Sequence, residues 1–64
     1  MTAFEIVVDG EYMEARYSRA VADVVAAAYL QHDSRRVVSV VESARAARDL
    51  TRAGGQEYTW TEEL

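Results

Sequence analysis

Asp9-Gly10 stands between two stretches of alternating character, residues 4–8 and 11–17. No short signal for a hairpin is stronger, because a two-residue type I′ turn needs positive φ at both central positions and Asp-Gly tolerates it. A two-residue loop sets Val8 opposite Glu11, Val7 opposite Tyr12, Ile6 opposite Met13, Glu5 opposite Glu14 and Phe4 opposite Ala15. One face of the ribbon is then Phe4, Ile6, Val8, Met13, Ala15 and Tyr17, an expected core. The other shows Glu5, Val7, Tyr12, Glu14 and Arg16. That register places two carboxylates side by side, with Arg16 diagonal to Glu5 to soften the repulsion.

Ser18 is a fair N-cap, and residues 19–32 read as a helix of about four turns, rich in Ala. At 100° per residue Val21, Val24, Val25 and Ala28 share a stripe, which is the face expected to lie on the hairpin, with Tyr29 at its border. Residues 35–53 admit two readings. One is a single long helix capped by Asp33 or Ser34 and stopped by Gly54. The other is a β-branched strand over residues 36–41 followed by a helix that Ser43 caps. The second is favoured: four valines fall within residues 37–41, and the split gives Ala46, Leu50 and Ala53 a stripe opposite Arg45, Arg48 and Arg52. Gly54-Gly55 ends that helix, and residues 57–61 alternate as a last short strand.

The expectation is a small single α+β domain over residues 1–64, in the order β-β-α-β-α-β, with the N-terminal hairpin packed on a helix and an arginine-striped helix at the side. The alternative is β-β-α-α with a long second helix. A chain of 64 residues buries only about 60 % of its unfolded surface, so its stability is modest. With no cysteine, neither a disulfide nor a thiolate zinc site can help it, which leaves a homodimer as the expected support. The longest apolar run, residues 24–30, is far short of the ~18 residues a membrane span needs, and the N-terminus lacks the pattern of a signal peptide. A cytoplasmic protein is expected. All seven basic residues are Arg, as in a GC-rich genome, which suits a small protein carried by a phage or mobile element.

Net charge is −4, unevenly placed. Residues 1–15 hold four acids and no base, residues 16–52 hold seven Arg against four acids, and residues 53–64 hold three acids. The overall sign argues against nonspecific nucleic-acid binding, while the middle leaves one basic face. Nucleophilic catalysis needs a base held by a third group. His32, Asp33 and Ser34 are consecutive, point in different directions and form no triad. Glu5 and Glu14 are the acids nearest to a metal site, and a solvated pair is the plainer account of them. Gly54-Gly55 precedes a strand, not a helix, so it makes no phosphate loop. No enzyme and no cofactor are expected.

What remains is binding. Arg45, Arg48 and Arg52 recur at i, i+3 and i+7 on one side of a helix, and Arg forks suit carboxylates or phosphates. Tyr12 and Trp60 are residue types that anchor interfaces. These five residues are the expected contacts of a small adaptor or inhibitor that binds another protein. The alternatives are a nucleic-acid-binding regulator using the arginine stripe, and a self-assembling structural subunit.

Overall fold

The computed structural model describes residues 2–52 and the backbone of Tyr58 and Thr59. The elements are β1 (Ala3–Val8), β2 (Glu11–Arg16), α1 (Arg19–His32), β3 (Val38–Ser43), α2 (Ala44–Arg52) and β4 (Tyr58–Thr59). They form an α+β fold around an antiparallel sheet of order β3-β1-β2-β4. β2 and β3 both run antiparallel to β1, so they are parallel to each other with β1 between them. α1 is the crossover that joins them. The split reading of residues 35–53 is the one adopted, and no helix among the described residues is long and apolar enough to cross a membrane.

The hairpin turn forms as its dipeptide requires, with φ of 52° at Asp9 and 84° at Gly10. Asp9 does a second job. Its carboxylate accepts from Val37 N–H at 2.9 Å and from Arg36 Nη1 at 3.0 Å, and its own N–H donates to Val37 O at 2.8 Å. Arg36 N–H in turn donates to Asp33 O at 3.2 Å. These bonds hold residues 33–36 in a turn and pin Val37 beside Asp9, which is why β3 begins at Val38 and runs to Ser43 rather than spanning the expected 36–41. Ser18 and Ser43 cap the two helices as expected, accepting from Val21 N–H at 3.3 Å and Ala46 N–H at 3.2 Å.

The expected hairpin register holds for two pairs and then fails. Val8 faces Glu11 and Val7 faces Tyr12, but Ile6 faces Glu14, Glu5 faces Ala15 and Phe4 faces Arg16. Met13 is the extra residue of a bulge, and beyond it every β2 side chain changes face. The physical gain is plain. Without the bulge Glu5 and Glu14 would be neighbours on one face; with it they lie on opposite faces of the sheet, each beside its own arginine. Ala15 leaves the expected core face for the same reason, and Tyr17 lies beyond the strand, exposed.

The sheet is covered on both faces. Ile6, Val8 and Ala22 are buried on the α1 side, with Phe4, Met13, Val25, Tyr29, Val38 and Val40 packed around them. Ala3, Ala15, Ala46, Ala47 and Leu50 are buried on the α2 side, with Tyr12 against them. The arginine-striped helix therefore lies across the second face, not at the side. α1 is also turned from its expected setting: Ala22, Val25 and Tyr29 meet the sheet, while Val21 and Val24 are exposed. Fully buried Ala22 brings the helix close to the strands, and Tyr29 reaches down to Glu14. Those two contacts rotate the helix by roughly 100°, one residue step of the helix.

Candidate functional site

Four of the five predicted contact residues, Tyr12, Arg45, Arg48 and Arg52, fall on the α2 side. Tyr12 projects from β2 and donates its hydroxyl to Asp49 Oδ2 at 2.7 Å, and Asp49 Oδ1 also accepts from Arg52 Nη2. Arg45 grips Glu5 with both arms of its fork, Nε to Oε2 at 3.0 Å and Nη2 to Oε1 at 2.8 Å. Its guanidinium lies 4.6 Å from the centroid of the Tyr12 ring, a cation–π contact. Arg45 thus covers two side chains of the sheet at once. Its forked bond holds the Glu5 carboxyl below its ordinary value despite burial, Ser43 assists, and the same bond raises Arg45. Burial foremost, and then the bond to Asp49, push the Tyr12 hydroxyl well above its ordinary value.

Of the predicted stripe, then, Arg45 and Arg52 are bound to carboxylates of their own chain, while Arg48 has no ion-pair partner among the described residues. Arg48, Arg52, Ala44, Ala47 and Thr51 line an open depression along α2. Val7 and Tyr12 are half-buried rather than open, because α2 covers the hairpin face that carries them. Trp60 lies outside the described residues.

On the other side of the sheet the bulge creates a second polar cluster. Glu14 Oε1 accepts from Arg16 Nη2 at 2.6 Å and Oε2 accepts from the Tyr29 hydroxyl, while Arg16 Nη1 donates to Ala15 O at 2.8 Å. Glu14 and Arg16 are both nearly buried. Burial, and then the bond to Glu14, push the Tyr29 hydroxyl up to about 12. The sequence held one clue to this cluster, the like-charge pair that the unbulged register forced on Glu5 and Glu14.

Beside that cluster runs an open groove of about 430 Å³, walled by Val24, Val25, Ala28 and Tyr29, with Glu14, Arg16 and His32 at its rim. Val24 is 69 % exposed, and Val21 joins it on the helix flank. Three of the four residues expected to be core, Val21, Val24 and Ala28, form this outward ledge instead. His32 is exposed at the end of α1, and Asp33 accepts from Arg35 N–H and Arg35 Nε at 3.0 and 3.2 Å rather than orienting the imidazole. The backbone bond from Arg35, then its side chain, hold the Asp33 carboxyl below its ordinary value. Glu5, Glu14 and Asp49, the buried carboxylates among the described residues, are each engaged by an arginine, and Glu14 and Asp49 by a tyrosine as well. Among the described residues no three His, Cys, Asp or Glu side chains converge on a possible metal position. No protein-family model, curated protein or solved structure matches this chain.

Proposed function

We propose that this chain is a small non-catalytic protein-binding domain of adaptor or inhibitor type, whose contact surface is the flank of α1. The observation that carries the reading is the apolar ledge of Val21, Val24 and Ala28 beside the groove. Apolar side chains at helical spacing, open to water along an apolar trough, are what a partner's apolar side chains cover. The groove's rim pairs Glu14 with Arg16 internally, so the contact it offers is chiefly apolar and only weakly dependent on salt. The arginines of α2 support the nucleic-acid alternative less well: two of the three already neutralise carboxylates of the same chain.

A photo-crosslinking residue placed at Val24, and separately at Arg48, reads this directly in the native cell. A single protein adduct at position 24, abolished by Val21→Asp together with a distant crosslinker control, supports the reading. Adducts confined to position 48, or adducts that disappear with nuclease, overturn it in favour of the arginine face.

A further inference from the structure

β3 is an edge strand of six residues, and its peptide groups can be assigned to a side. Asp9 N–H donates to Val37 O, and residues 9 and 37 are opposite each other in the β1–β3 register. In an antiparallel ladder the bonded pairs alternate, so Ser39, Val41 and Ser43 turn their N–H and C=O toward β1. Val38, Val40 and Glu42 turn theirs outward, away from the sheet. No bulge, proline or lysine guards this edge, the usual means of keeping one single.

Its side chains are equally suggestive. Val37 is 71 % exposed and Val41 46 %, both on the α2 side, where α2 leaves β3 largely uncovered. Glu42 is exposed on the α1 side with no ion-pair partner among the described residues, and Arg36 stands just before the other end of the strand, half-exposed beside Asp9 and Asp33.

We infer that β3 pairs antiparallel with β3 of a second copy of this chain, about a two-fold axis through Ser39, joining two sheets into one. In this register Val38 and Val40 exchange outward hydrogen bonds with the partner's Val40 and the partner's Val38. Val37 lies beside the partner's Val41, twice over, at non-bonded positions where side chains approach most closely. Arg36, at the end of the turn that leads into the strand, comes within side-chain reach of the partner's Glu42, also twice. Ser39 faces its own copy. Sliding the pair by two residues to centre on Val40 sets Val38 against the partner's Glu42 and Ser39 against the partner's Val41, which loses both the apolar and the ionic matches. An isologous contact needs a self-complementary patch, and residues 36–42 supply one: the valines are placed symmetrically about Ser39 and the two ends carry opposite charges. The contact uses the β3 edge, whereas the proposed binding ledge is on the β2 side of α1, so either can fail without the other.

The test uses the purified full chain, whose lack of cysteine makes one introduced thiol unambiguous. Light scattering should give twice the chain mass. Ser39→Cys should form a covalent dimer on mild oxidation, because non-bonded cross-strand neighbours have Cβ atoms about 4.5–5.5 Å apart, close to disulfide reach. Val40→Cys should crosslink much less. Val37→Lys/Val41→Lys sets like charges opposite each other at two places and should weaken the dimer tenfold or more while leaving the far-ultraviolet circular dichroism unchanged, since both positions are exposed in the single chain. A monomer throughout, a dimer insensitive to the lysine pair, or one that crosslinks at Val40 and not at Ser39 overturns the proposal; so does capture of a foreign strand at position 39 in place of a second copy.

Discussion

The two faces of the sheet use one device differently. Each has a carboxylate sunk beside the strands, an arginine on it and a tyrosine hydroxyl nearby: Glu14 with Arg16 and Tyr29 under α1, and Glu5 with Arg45, alongside Tyr12 with Asp49 and Arg52, under α2. Under α1 both charges come from one strand and both are nearly buried, so the helix adds only Tyr29. Under α2 the arginines come from the helix and keep more than half their surface in water. The apolar cores differ in the same sense. α1 rests on Ile6 and Val8, whereas α2 presses alanines on alanines around Leu50, with half-buried Tyr12 at the margin. A face lined with alanine gives a helix little area to hold it, so α2 relies on its ionic straps. α1 is anchored by a broader apolar patch and can leave a second apolar flank open.

If the α1-side pair is interior, Glu14→Ala is the most damaging change, about 3–5 kcal/mol, because it strands a buried guanidinium. A urea titration measures it, and Glu14→Leu/Arg16→Leu should recover most of the loss, since two apolar side chains leave no unpaired charge. Leu50→Ala should cost about 2–5 kcal/mol and release α2 first, visible as faster amide exchange in residues 44–52 than in α1. Equal exchange in both helices would mean that the two helices are held equally firmly.

Arg45→Ala should cost less than either of these, because the guanidinium is largely hydrated even while it grips Glu5. The two faces also separate with pH. Glu5 is lowered in the fold, so as pH falls below its ordinary value of 4.5 the unfolded chain takes up the proton first and stability declines toward the lowered value. Arg45→Ala should flatten that acid limb. Tyr29 is raised, from 10.0 to about 12, so above pH 10 the unfolded chain loses its proton first and stability falls across that interval. Tyr29→Phe should remove part of this alkaline limb and leave the acid limb intact; Tyr12, raised too, contributes to the same limb. The smallest effect is expected at the ledge. Val24→Ser should move the urea midpoint by no more than about 0.5 kcal/mol of stability, as for an exposed position.

Much of the architecture was legible from local chemistry. Asp9-Gly10 specified the turn, Ser18 and Ser43 specified both helix starts, and the valine cluster specified β3, because each of these depends on a residue's own backbone preferences or its immediate neighbours. The bounds of α1 follow from the same kind of evidence. The faces were another matter. Val21, Val24, Val25 and Ala28 make a clear stripe on a helical wheel, yet only Val25 meets the sheet.

Amino-acid order by itself therefore determined which segments are strand and helix and where the chain reverses. Tertiary structure decided which side of each element is inside. The bulge at Met13 is the hinge of that decision: it is one residue of slippage with no local signature, favoured because it separates Glu5 from Glu14 across the sheet and hands each an arginine. Once Glu14 faces α1, Tyr29 can reach it, α1 turns to let it, and the valine stripe is left looking outward. Long-range electrostatics and the close approach allowed by Ala22 outweighed a hydrophobic pattern that was locally the stronger cue.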